Sequence, residues 1–189
     1  MEPDIGPVDL LDQAAAVAAD MVDRVGPDRW HAATPCEELD AGAVVEHIVA
    51  GLEQFAAVAR GEPYDLTHQR QLEAATAGDE YRAAGQAMHD AWSAPGALNT
   101  TYGMPWGEVP GAVLVEFMFI EELAHAWDLA RAVEHPLVVD EDLAEAALTR
   151  ARLYDDDTIR VPGMFGPAQE APADAPAIDR LAAFLGRNL

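Results

Sequence analysis

Apolar residues recur along most of this chain at spacings of three and four, the period of amphipathic helices, and almost nowhere alternate as half-buried strands do. From Asp9 to about Val25, Leu10, Leu11, Ala14, Val17, Ala18, Met21, Val22 and Val25 form one such stripe, ended by Gly26-Pro27. The segment from Asp28 to Glu38 reads as a connection, because Pro35 pushes Thr34 toward extended geometry. Asp40 is placed to cap a second helix running to about Ala59 through Val44, Val45, Ile48, Leu52, Phe55 and Ala56, with His47 beside the stripe. A third, more polar helix is predicted from about Gln69 to Trp92, stopped by Pro95-Gly96.

Ala97 to Pro110 mixes Gly, Pro and Asn with Tyr102, Met104, Trp106 and Val109, which predicts a loop or short extended excursion and a candidate lid over a site. Pro110 suits the first turn of a fourth helix to about Val133, the most apolar of all and hence predicted to be central. Asp140 is expected to cap a fifth helix to about Tyr154, and the acidic run Asp155 to Asp157 reads as a solvated turn. Pro162, Pro167, Pro172 and Pro176 mark an irregular C-terminal tract, after which Asp174 is placed to cap a last helix with Ile178, Leu181, Phe184 and Leu185. The expected fold is an all-α four-helix bundle with extra short helices and a Pro-rich tract, residues 1–189 forming one domain.

The polar residues that matter are those interrupting the apolar fourth helix. Glu121 and His125 lie four apart, hence on one face, and His47 in the second helix is a candidate third partner. Two imidazoles and a carboxylate suit zinc, nickel or iron(II), and three protein ligands leave room for water or substrate. Each neighbour also has a plainer reading. Trp127 reads as a core aromatic before a substrate platform, and Asp128 either pairs with Arg131 on the helix surface or orients a ligand. Glu122 turns away from His125 and is excluded as a ligand. His31, His68, His89 and His135 read as solvated, His89 being the reserve ligand.

Composition narrows the chemistry further. The formal charge is -23, from 34 acidic and 11 basic residues, which argues against nucleic acid and anionic lipid as partners. All the basic residues are Arg, which removes Schiff-base and lysine-base chemistry, and the single serine, Ser93, lacks a nucleophile-elbow context. Cys36 stands alone, excluding an internal disulfide or Cys-rich zinc site, and is expected to be a small buried hydrophobe whose thiol lines a cavity at most. No signal-peptide pattern opens the sequence and no uninterrupted apolar run has membrane-spanning length, so the expected compartment is the cytoplasm.

Thr34-Pro35-Cys36, His47, the run Pro105 to Gly111, EELAHAWDLARA from Glu121 to Ala132, and the tail motifs Gly163 to Pro167, Pro172 to Ala175 and Asp179-Arg180-Leu181 form a recognisable set. On these the chain resembles the DinB/YfiT-like metal-binding superfamily, especially actinobacterial proteins related to the N-terminal metal-binding domain of mycothiol-dependent maleylpyruvate isomerase. That resemblance implies a helical bundle holding a divalent metal, zinc first and nickel or iron as alternatives, on His47, Glu121 and His125. It further implies a thiol-dependent transferase or isomerase in which the metal activates mycothiol or water toward a small-molecule substrate. A non-catalytic metal-binding or stress-response protein and a metal-dependent hydrolase are the alternatives. A homodimer is the assembly expected by analogy. Arg82 and Arg131 are the helical candidates for contacting an acidic substrate.

Overall fold

The computed structural model describes residues 5–36, 38–154, 156–160 and 164–189. Expectations resting on Met1 to Asp4, Glu37, Asp155 and residues 161–163 fall outside these. The elements are α1 (Pro7–Val22), α2 (Ala41–Ala59), α3 (Ala77–Trp92), β1 (Thr101–Met104), β2 (Gly107–Pro110), α4 (Gly111–Ala132), α5 (Glu141–Ala151), α6 (Asp156–Ile159) and α7 (Ala177–Phe184). Helix α1 packs on α3 and α4, and α2 packs on the same two, so the four long helices close a ring; α5 and α7 pack together and against α4. This is the all-α bundle that the three-and-four spacing predicts.

Helix α4 sits at the centre. From Glu122 to Ala130 every residue is buried, which explains why its apolar residues are spread around the helix rather than confined to one stripe. Helix α2 is capped as expected, the Asp40 carboxylate accepting from the Ala43 amide at 2.9 Å. It is the one described helix long and apolar enough to cross a membrane, yet more than half of it is buried inside the fold, as befits a core helix.

Several boundaries differ from those expected, α1 ending at Val22 rather than near Val25 and α5 at Ala151 rather than near Tyr154 among them. Helix α3 starts at Ala77, not near Gln69. The segment before it is tied to α2 by side chains instead, the Leu72 amide donating to Glu46 at 2.8 Å and Arg70 pairing with Glu53. Pro110 precedes the first turn of α4 with extended dihedrals. Asp174 does not cap α7; Pro176 holds the cap position, and the free Ala177 amide donates across to Glu141 on α5 at 2.9 Å. Part of the expected acidic turn is helical, since α6 begins at Asp156.

The excursion before α4 is a β-hairpin in which Met104 pairs with Gly107 and Thr101 with Pro110. A two-residue turn, Pro105-Trp106, joins the strands and leaves Trp106 exposed at the tip. The hairpin feeds directly into α4 through Gly111, where a Cβ would meet the Ala97 carbonyl, Trp92 at 2.8 Å and Tyr102 at 3.0 Å. Only glycine lets the start of α4 approach that wall. Gly111→Ala is therefore expected to lower stability by about 1–3 kcal/mol in urea unfolding, the cost of overpacking a site that cannot relax outward.

Candidate metal centre

Glu121 and His125 project from the same face of α4, and α2 brings His47 to meet them. One ligand atom from each lies within 4.8 Å of the other two. Glu121 Oε2 is 3.3 Å from His125 Nε2 and 3.5 Å from His47 Nε2, while the two rings meet edge to face with centroids 5.0 Å apart. Those nitrogen–oxygen separations are wide for hydrogen bonds. They suit a cation: two atoms each roughly 2.0–2.1 Å from a tetrahedral centre lie about 3.3–3.4 Å apart. Two imidazole nitrogens and one carboxylate oxygen also form a donor set that zinc, nickel and iron(II) accept, so the residues present fit a divalent metal.

Burial is graded across the cluster. The His125 side chain is 5% exposed and Glu121 13%, whereas His47 is 50% exposed, so the His47 side faces solvent. Behind His125 the ring is held from α4 itself: Nδ1 lies 3.1 Å from Asp128 Oδ2. Asp128 is fully buried and its partner is Arg187, not Arg131; Arg131 stacks over the Trp127 ring at 4.7 Å. Trp127 is a core aromatic whose Nε1 donates to Asp179 at 2.7 Å. Arg187 was missed in the sequence because it contacts α4 from 59 residues away.

Glu122, one residue from the cluster, points elsewhere, as its helical position requires. It accepts from the Tyr81 hydroxyl on α3, while its other oxygen is buried with no partner among the described residues. His89 pairs with Asp12 at 2.7 Å, His68 with Glu53 at 2.9 Å and His31 with Asp40 at 2.9 Å, and none joins the metal cluster. Arg82 is engaged by Asp23. Cys36 is half-buried rather than fully enclosed; burial raises its thiol pKa and the nearby Asp128 carboxylate raises it further. Tyr64 is raised by burial and by Glu121, and its ring meets Trp106 of the hairpin at 5.3 Å and Phe55 of α2 at 5.8 Å. The hairpin thus reaches the neighbourhood of the centre through Tyr64.

Residues 11–130 match the family described as the mycothiol maleylpyruvate isomerase N-terminal domain. The chain belongs to that family. The matched span contains His47, Glu121 and His125 and ends within α4. Two uncharacterized proteins of Mycobacterium tuberculosis, from strains CDC 1551 / Oshkosh and H37Rv, are each 34% identical over 172 residues, 90% of this chain and 92% of the relative. No solved structure matches this member of the isomerase N-terminal domain family.

Burial disfavours the Glu121 anion, but His125 and His47 hold its carboxyl well below the usual range. Burial likewise pushes His125 down, and the Asp128 and Glu121 carboxylates on either side outweigh it, raising it to about 9. Burial raises Glu122 to about 7. A folded pKa above the unfolded one contributes stability at low pH that is lost as pH rises through the folded value. For His125 that window runs from its ordinary 6.5 to about 9, and for Glu122 from 4.5 to about 7. Metal-free protein should therefore lose stability between pH 6.5 and 9, by on the order of 3 kcal/mol from His125. Urea unfolding at pH 6, 8 and 9.5 checks this, and a saturating divalent cation, which takes the proton's place, should flatten the loss.

Proposed function

We propose that the protein binds one divalent cation through His47, Glu121 and His125 and uses it to activate a low-molecular-weight thiol, mycothiol first, or a water. The reaction class is transfer or isomerisation on a small molecule. The observation that carries the reading is the meeting of three ligand atoms, from two helices, within 4.8 Å of one another. Family membership supports the link to mycothiol. Zinc is the first expectation, and nickel and iron(II) share its preference for this donor set.

The residues divide the work. Glu121 supplies the carboxylate between the two rings, and Asp128 accepts a hydrogen bond from His125 Nδ1–H, which leaves Nε2 as the metal-donor atom. His47, half exposed, keeps one side of the centre accessible, the arrangement of a site built to admit substrate rather than to staple a fold. The cation would supply Lewis acidity and bring the pKa of a thiol or water toward neutrality. With the metal doing this, the chain needs no nucleophile of its own, in keeping with its single Cys and single Ser. Electrostatics accommodate a cation: the buried carboxylates of Glu121 and Asp128 are met by Arg187 and by a proton on His125, and a metal would take that proton's place.

Protein stripped with chelator and reloaded should take up one equivalent of zinc by elemental analysis. His47→Ala and His125→Ala should each weaken binding by about 100-fold or more, and full retention by both variants would contradict the ligand assignment. Loaded protein incubated with mycothiol and an electrophile should yield an S-conjugate by mass spectrometry. Metal uptake without conjugate formation would instead favour a binding protein on the same scaffold.

A further inference from the structure

Behind the cluster, Asp128 is held by an arginine that lies outside the span matched by the family, Arg187. Arg187 is 7% exposed and grips Asp128 at two points, Nε to Oδ1 at 3.2 Å and Nη2 to Oδ2 at 2.8 Å. Nη1 donates to the Leu185 carbonyl at 3.0 Å, and the guanidinium lies 5.6 Å from the Phe165 ring. A fork-on-fork pair of this kind fixes the plane of the carboxylate as well as its charge. Asp128 in turn meets His125 Nδ1 at 3.1 Å.

The backbone explains why Arg187 arrives there. Helix α7 ends in a paired-bond cap, the Arg187 amide donating to Ala182 and the Gly186 amide to Ala183, both at 3.0 Å. Gly186 has a φ of 94°, and a Cβ there would lie 2.7 Å from Gly166 Cα. Glycine is required twice over, by the left-handed turn and by the close approach of the two chains. That turn reverses the chain and aims the next side chain into the core at Asp128.

We propose that Arg187 is the positioning residue of the metal centre: by gripping Asp128 it fixes the His125 ring with Nδ1–H on Asp128 and Nε2 presented to the cation. The turn after α7 thereby completes a site whose three ligands all lie earlier in the chain. The inference rests on the metal-binding reading above and goes beyond it, because it assigns a task to a segment that holds no ligand. Neutralising Asp128 alone would need only a positive charge, which lysine supplies; fixing the carboxylate plane needs the guanidinium fork.

The test uses the full chain, wild type and the variants Arg187→Lys and Arg187→Gln, each checked for folding by circular dichroism. Zinc affinity is measured by chelator competition, and the cobalt(II)-loaded protein is examined by proton NMR for the shifted Nδ1–H signal of His125. The wild type should show that proton in slow exchange with solvent. Both variants keep Asp128, the outer partner of His125, but leave it unfixed, so they should bind zinc about 10-fold more weakly, the lower end of the cost of losing such a partner outright, and their Nδ1–H signal should broaden or vanish. The inference is overturned if Arg187→Lys matches the wild type within twofold with its Nδ1–H signal unchanged, which would leave Arg187 a charge partner only. It is overturned equally if the wild type shows no slowly exchanging Nδ1–H, a readout that stands even where a variant fails to fold. Failure of the wild type to bind zinc or cobalt would defeat the metal reading itself and this inference with it, whereas tight binding with unaffected variants defeats only the inference.

Discussion

Charged side chains buried in an apolar helix must be partnered, and α4 places Glu121, Glu122, His125 and Asp128 within eight residues near the middle of the protein. Much of the architecture can be understood as supplying their partners. Tyr81 on α3 donates to Glu122, and burial raises that carboxyl to about 7. Arg187 after α7 meets Asp128, and His47 on α2 meets Glu121. Partners therefore come from three separate elements packed around one helix, each answering a particular carboxylate. In the proposed function a metal would be the last of these partners, held by the Glu121 carboxylate and the two imidazoles that stand 3.3 and 3.5 Å from it.

The same constraint gives the site its two-sidedness. The Asp128 side is closed, rigid and doubly tied through the guanidinium, which suits the orientation of a ligand ring. The His47 side is open, and Tyr64, close enough to Glu121 for that carboxylate to raise its pKa, meets Trp106 of the hairpin tip. In the proposed centre, a tied back wall with an accessible front would separate holding a cation from exposing it to a reactant. Acidity of the whole chain acts in the same direction, since a surface with many carboxylates and no lysine attracts cations and offers little to phosphate.

How far the sequence revealed this depended on whether each signal was local. The i, i+4 spacing of Glu121 and His125 and the apolar stripes of α1, α2 and α4 are properties of short windows, and the elements appeared close to where the periodicity put them. His47 stands out in its own window only as an imidazole beside an apolar stripe, which makes it a candidate third partner; that α2 lies against α4 is a tertiary fact that no local pattern encodes. The start of α3 was misplaced since side-chain bonds from Glu46 and Glu53 hold the preceding residues in a non-helical path, a tertiary effect that composition does not encode. Of the two readings of Asp128, the pairing with Arg131 gives way to a partner distant in sequence, Arg187, whereas its contact with His125 Nδ1 fits the reading that it orients a ligand. One sign of that partner was present: Gly186 just after an apolar helical stripe is the mark of a left-handed cap, and the residue after such a cap turns back toward the core.

The most direct measurement is anomalous scattering at a metal absorption edge from crystals of protein purified without added metal. The account predicts a single peak bounded by His47 Nε2, His125 Nε2 and Glu121 Oε2, with Asp128 still on His125 Nδ1 and Arg187 still on Asp128. A metal located elsewhere, or a fully ordered cluster that shows no anomalous signal even after soaking in zinc, would contradict it.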